Sequence, residues 1–371
     1  MGLIARSGYL ILREWKMAGS WLMEIMLGKR WRGLRECGGM PSYRVNVLRN
    51  PPRRRDICSG LTGRLEVSIV AESYLHIGEG AQKSLVEIDE EGLKGLKGAP
   101  SLREVRRYVR FIAGVVPFNK VSGKPAIPGG TVKGNIRTRL ELSFRSKNGV
   151  VRSCLLIASR PLDRPNPPRT SGWRHQRIWS HAIGEDRRAC NFIAERKVCL
   201  LCDLFGSAGL SSLINFSDFL LTDGANRMEI VDLPYGMRLE AAKPGSVFTG
   251  IIEFRNLALE ELGLLFLGMG LRGGRISDQV LMGRLKYHNV QTLGGKVFGR
   301  IRYRLNELAL SRLSTESMKL DGWEIRPGGS LADEGRLDVL VKDLVDRSLK
   351  KFEGEIMLVD EVRVIDQLPR A

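Results

Sequence analysis

Long hydrophobic runs are missing from this chain of 371 residues: the longest, Leu262 to Leu271, stops at Glu261 on one side and Arg272 on the other. A membrane-spanning helix needs roughly 20 apolar residues, so no transmembrane segment is expected. The N-terminus mixes Arg6, Arg13, Glu14 and Lys16 into its apolar stretches and shows no small-residue cleavage site behind an apolar core, which points away from secretion. Cysteine is scarce. Six of them (Cys37, Cys58, Cys154, Cys190, Cys199 and Cys202) are too few for a disulfide framework at this length, and three cluster, which favours a reducing cytoplasm and a metal site. Acid is in deficit: 41 Asp and Glu stand against 59 Lys and Arg, a net charge of +18. Such an excess points to a polyanionic partner.

Aromatic residues make up only 7% of the chain, yet several fall where cations are densest. Between Arg145 and Lys197 there are twelve Lys or Arg against four acids, interleaved with Trp173, His175, Trp179 and Phe192. Cations that neutralise phosphates beside rings that stack on unpaired bases suit single-stranded RNA better than a duplex. A solvated arginine-rich loop would share this composition.

Apolar residues, 43% of the total, suffice for a globular core. Residues 1–60 read as a basic N-terminal extension closed by Pro51-Pro52-Arg53-Arg54-Arg55. Leu65, Val67 and Ile69 alternate with polar residues, as in a strand buried on one face. After Pro128-Gly129-Gly130, Thr131 is expected to cap a helix with Val132, Ile136 and Leu140 as its apolar stripe. Strands follow at Leu213 to Leu221 and Val247 to Phe254, a helix near Leu257 to Leu267, and a strand at Val297 to Leu305. This β-α-β-β-α-β order predicts an α+β fold: a ferredoxin-like, RNA-recognition-motif-like core over residues 61–305. Long insertions interrupt it at 72–126, 147–210 and 270–296, and a C-terminal helical tail, 306–371, carries Leu337, Leu340, Val341, Leu344 and Val345 at helical spacing.

Two glycine-rich segments are candidate backbone-binding loops. Gly129, Gly130 and Thr131 open a helix on which Lys133 and Arg137 lie one turn apart, so free N–H groups, the helix dipole and two cations make a phosphate cradle. It lacks the spacing of a nucleotide-hydrolysing loop. Replacing both cations with alanine is expected to weaken RNA binding for all sequences alike while sparing the fold. Gly294, Gly295, Lys296 and Arg300 precede the last strand and let a ligand approach the backbone. An ordinary capped helix and a plain hairpin turn would look alike.

Ile127 to Arg137, Leu204-Phe205-Gly206-Ser207, Ile214 to Asp218, Lys243 to Phe248 and Leu293 to Arg300, in that order, resemble the RAMP superfamily, the repeat-associated subunits of CRISPR effector complexes. The resemblance implies an RNA-binding subunit of a type III, Csm-type antiviral complex that holds guide RNA, helps to position target RNA and contacts other subunits. Cleaving subunits of that family resemble one another in an aspartate shortly before the glycine turn, and Phe111 to Asn119 contains none. The resemblance therefore implies binding without a catalytic residue. An endoribonuclease using Asp89 or His76, or a guide-independent basic RNA binder, are the rival readings.

Cys190, Cys199 and Cys202 form a C-x8-C-x2-C arrangement, with His181 or His175 upstream as a fourth ligand, which predicts structural zinc. Unligated buried cysteines are the plainer alternative. Arg103, Arg106, Arg107 and Arg110 recur at i, i+3, i+4 and i+7, predicting one helix with an arginine ridge suited to phosphate contact.

Overall fold

The computed structural model describes residues 43–80, 83–95, 101–156, 167, 170–320 and 322–369. Residues 1–42 of the basic extension lie outside the described residues.

Alternation of Leu65, Val67 and Ile69 with polar neighbours yields strand β1 (Leu61–Ala71), in which those three side chains are fully buried. Helix α1 (Gly129–Ser143), short strands β2 (Ile214–Phe216) and β3 (Phe219–Leu221), strand β4 (Val247–Leu257), helix α2 (Leu259–Met269) and strand β5 (Arg300–Leu310) follow. The fold is of the α+β class. β1 lies between β5 and β4, and β2 and β3 run along the far side of β4, all antiparallel. Ile69 stands opposite Phe248 on one side and Tyr303 on the other. Because side chains alternate along each strand, this register stacks the apolar residues on one face. That face shares a single core with Val132, Ile136 and Leu140 of α1 and Leu262 and Leu265 of α2.

Helix α3 (Glu334–Lys351) buries Leu337, Leu340, Val341, Leu344 and Val345 against α2. The contact is close enough that a Cβ on Gly263 would stand 2.0 Å from the Leu344 carbonyl oxygen. Helix α4 (Glu361–Gln367) drops Val362 and Ile365 into a second, smaller core with Trp179 and Ile183. A second sheet joins the hairpin Met228–Leu233 and Met237–Ala242 to Val109–Val116 and Lys83–Ile88. Among the described residues no helix is long and apolar enough to cross a membrane.

Four expectations change. Pro128, not Thr131, holds the N-cap position of α1, and Thr131 sits inside its first turn. The strand expected from Leu213 to Leu221 breaks at Ser217 and Asp218: Ser217 Oγ accepts the Ile251 N–H at 2.8 Å, and Asp218 turns away to accept the Gly129 N–H at 2.9 Å. The four-arginine helix does not form as one unit. It is helical over Leu102–Val105, a 3-10 turn over Arg106–Tyr108, and a strand from Val109, so Arg110 lies on a strand opposite Glu87. The branched and aromatic run after Tyr108 has a sheet partner, and strand pairing outweighs the helical spacing of the arginines. Residues 43–60, finally, are part of the folded unit. Asn46–Val47 pairs with Val150–Val151, and Arg53 bridges Asp203 at 2.7 Å and Glu261 at 2.6 Å.

Candidate metal centre and nucleic-acid interface

The insertion between α1 and β2 brings four thiols together. Cys154 follows the strand Val150–Val151, Cys190 lies in a loop, Cys199 caps the helix Leu200–Phe205, and Cys202 lies in its first turn. All four are buried and unbridged, with ligand atoms within 4.8 Å of one another. Tetrahedral zinc at about 2.3 Å from each sulfur places sulfurs about 3.8 Å apart, which this spacing allows. Backbone N–H groups already point at the sulfurs: Cys199 N donates to Cys190 Sγ at 3.2 Å, and Cys154 N to Cys199 Sγ at 3.3 Å. Hydrogen bonding from Cys154, Cys199 and Cys202 holds the Cys190 thiol well below its ordinary range. The donor set fits a closed, structural site for a soft divalent cation.

His181 is not part of this cluster, and Cys154 stands in the fourth position that the histidine was expected to fill. Cys154 lies 36 residues before Cys190 in the chain, so no local spacing advertises it. His181 is hydrogen-bonded to the Leu142 backbone, and its buried Nε2 has no partner among the described residues.

Arg137, expected in a phosphate cradle, is tied to the cysteine cluster instead of facing solvent. It is buried, 8% exposed. Its Nε donates to Glu141 at 2.8 Å, Nη1 to the Gly206 carbonyl at 2.7 Å, and Nη2 to Cys202 Sγ at 3.2 Å. Burial pushes the Glu141 carboxyl up, and the Arg137 charge opposes that shift. A guanidinium at this place offsets the negative charge that four thiolates would bring around a divalent ion. These buried contacts argue against the expectation that Arg137 can be removed without cost to the fold.

The rest of the glycine turn divides in two. A Cβ on Gly129 would lie 2.3 Å from the Phe216 carbonyl oxygen, so this glycine serves chain packing, and its N–H is taken by Asp218. Gly130 is exposed with open space around it, Thr131 is half-buried, and Lys133 is half-buried with its pKa lowered by burial and by Arg137.

The second glycine segment has φ of +63° at Gly294 and +82° at Gly295, values that favour glycine. Lys296 Nζ donates to the Asp232 carbonyl at 3.3 Å, tying the segment to the hairpin. Arg300 pairs with Asp366 of α4. At the hairpin tip Tyr235 is 83% exposed at a φ of +65°. A bulky side chain in that conformation is strained by about 1–3 kcal/mol, so the fold holds an aromatic ring outward at a cost. The sequence reading missed Tyr235, whose only signal was Pro234-Tyr235-Gly236.

Residues from both segments, though none of their four glycines, line two adjoining depressions. Thr131, Gly134, Gly283 and Lys286 line one, Lys286, Lys296 and Arg300 the next, and the two share Leu281 and Lys286 as walls. Arg103 and Arg107 are exposed beside the outer edge of the second sheet. The groups named for nuclease chemistry have other work: Asp89 Oδ1 accepts the Gly92 N–H at 2.9 Å, and buried His76 bonds the Glu240 carbonyl through Nδ1 at 2.7 Å.

His175 packs on Tyr287 with ring centroids 5.0 Å apart, and burial, with the Lys286 charge, pushes its pKa down to about 4. The unfolded chain therefore takes up a proton below about pH 6.5 while the folded chain does not until about pH 4. Stability from this residue is complete above about pH 6.5 and should fall by up to about 3 kcal/mol as the pH drops to about 4. Denaturant titrations of wild type and His175→Gln should diverge in that window alone. Parallel curves would refute the assignment.

These features define a basic α+β protein with a closed four-thiol site beside a cation-lined depression. A family model described as the RAMP superfamily matches residues 68–277, more than half of the chain, and the chain belongs to that superfamily. Among solved structures it is similar to the crystal structure of Thermofilum pendens Csc2, at 13% identity over 86% of each chain with a TM-score of 0.31. That likeness is too distant to carry an argument. No curated protein matches the chain. The matched segment contains the Gly129 turn and the cysteine cluster, and ends before the Gly294 segment.

Proposed function

We propose that this chain is a cytoplasmic RNA-binding subunit of a CRISPR type III effector complex in antiviral defence, holding guide RNA, helping to position target RNA and packing against other subunits. The observation that carries the reading is the pair of adjoining depressions running from Thr131 and Gly134 to Lys296 and Arg300, next to an outward-facing Tyr235. Cations along a groove with an adjacent aromatic suit a single strand, whose phosphates need charge and whose unpaired bases offer faces to stack. The strand order β5, β1, β4, β2/β3 supports a ferredoxin-like core, since all neighbours are antiparallel and α1 and α2 cover one face. Structural zinc would be held by Cys154, Cys190, Cys199 and Cys202. Asp89 and His76, each engaged in the fold, favour binding without cleavage.

Single-stranded RNA should bind the full chain with a steep salt dependence, as phosphate contacts release counterions, and duplex DNA more weakly. Tyr235→Ala should weaken RNA binding by about 1–3 kcal/mol, the scale of one stacked base, while Tyr235→Phe keeps most of the affinity. Fluorescence anisotropy over a salt series measures both. A flat salt dependence would remove the basic-groove reading, and unchanged affinity in Tyr235→Ala would remove the stacking role. Cleavage of complementary RNA with Mg2+ that is lost in Asp89→Ala would establish the nuclease instead.

A further inference from the structure

We propose that the cavity between α1, the loop Leu281–Tyr287 and α4 is a binding site for a phosphomonoester of the nucleotide class, with Lys286 as its cation. The cavity measures about 260 Å3, near the lower end of pockets that hold small organic ligands, roughly 300 Å3. Two cations and one carboxylate, Arg139, Lys286 and Glu361, line it, which leaves one positive charge in excess. Arg139 is paired with Glu361 and donates Nη1 to the Gly268 carbonyl at 2.6 Å. Lys286 makes no hydrogen bond or close ion pair among the described residues: the Glu361 carboxylate that Arg139 already bridges acts on it only through space, and the Tyr287 ring lies 5.1 Å away. Lys286 lies deep in the protein, and its pKa is lowered by that burial. It keeps some water-accessible surface because the cavity opens onto it. A half-buried ammonium that only shares a carboxylate with an arginine is poorly compensated, so a fold that keeps one facing an open cavity has a place prepared for an anion.

The α1 wall is shaped for the same ligand. Thr131, Gly134 and Thr138 fall on one face of the helix and line the cavity, so two hydroxyls flank a glycine. Gly134 is the eccentric choice. It sits inside a helix, where glycine is unfavourable, and a Cβ built on it would meet nothing within 4 Å. No packing contact demands it, whereas a group approaching the helix backbone would. Trp179, 2% exposed, and Tyr287, packed on His175, close the apolar wall of the cavity, and the preference for a nucleotide over another phosphomonoester rests on the RNA-binding reading. The phosphate can belong to a free nucleotide or to the phosphorylated end of an RNA strand.

Thermal unfolding and calorimetry on the full chain test this with AMP, adenosine, and two short RNAs that differ only in a 5′ phosphate. AMP should raise the unfolding temperature of wild type and adenosine should not. Lys286→Met should unfold at a higher temperature than wild type without ligand, since it removes the cavity's excess positive charge, and should bind AMP at least about tenfold more weakly. Gly134→Ala, free of steric conflict and better suited to a helix, should likewise be more stable and bind AMP more weakly. Tighter binding of the phosphorylated RNA would assign the site to a strand end, and equal RNA binding beside a clear AMP response would assign it to a free nucleotide. Wild type that responds to neither AMP nor the 5′ phosphate overturns the proposal. So does undiminished binding in both variants. Failure of the hydroxyl-ended RNA to bind would count against the RNA-binding reading, while the AMP response would still decide the cavity.

Discussion

Replacing Cys199 and Cys202 together with serine should release about one zinc per chain and lower the unfolding temperature by more than about 10 °C. A closed zinc site contributes on the order of 10 kcal/mol in small zinc-dependent domains. Even half of that is a large part of the stability of an ordinary domain. Here a bound zinc would tie together segments that local structure alone would hold loosely: the loop at Cys154, the loop at Cys190 and the short helix Leu200–Phe205, which packs against α1. Strong chelators should act in the same direction as the double substitution. Elemental analysis of protein purified without chelators checks the ligand count, and absence of zinc there would sink the site. Cys154→Ser should behave like the double variant and His181→Ala should not, which separates the four-thiol cluster from the histidine-containing one.

Arg137→Ala should destabilise the fold by about 3–5 kcal/mol, the cost of removing one partner of a buried ion pair. It would leave the Glu141 carboxylate, 3% exposed, with only the Leu156 N–H and the more distant Arg187 charge, and take a donor from the Gly206 carbonyl and from Cys202 Sγ. Arg137→Lys should rescue little, because a single ammonium cannot reach three acceptors spread across the guanidinium fork. Arg137→Met combined with Glu141→Leu should be milder than Arg137→Ala, since both charges leave together. Lys133→Ala, half-buried and unpaired, should unfold within about 0.5 kcal/mol of wild type. Denaturant titration of the four variants tests the order. A stable Arg137→Ala that lost only RNA affinity would return this residue to the groove.

Much of the architecture was legible because β1, β4 and β5 expose one face to polar surroundings, so period-two alternation survives in their sequences. The stripe Val132, Ile136 and Leu140 was legible for the corresponding reason in a helix. The arginine series from Arg103 to Arg110 misled because helical spacing in a short polar segment carries little energy. The branched run beginning at Val109 had partners in Lys83–Ile88 and Met237–Ala242 that no local window contains. Arg137 misled differently. At Lys133 plus four it reads as the second cation of an exposed pair, but the insertion 147–210 folds back over that face of α1 and turns an apparent phosphate ligand into a support for Cys202.

By itself the sequence determined the basic charge, the α+β class and the presence of a cysteine cluster, because composition and local periodicity depend on near neighbours in the chain. Only the tertiary structure decided that Cys154 completes the cluster, that Arg137 is sealed against Glu141, that Tyr235 is exposed at a strained turn, and that Lys286 shares its nearby carboxylate with Arg139. Each of these depends on which distant segments meet, and burial, not residue type, determines whether a cation faces a phosphate, a carboxylate or an open cavity.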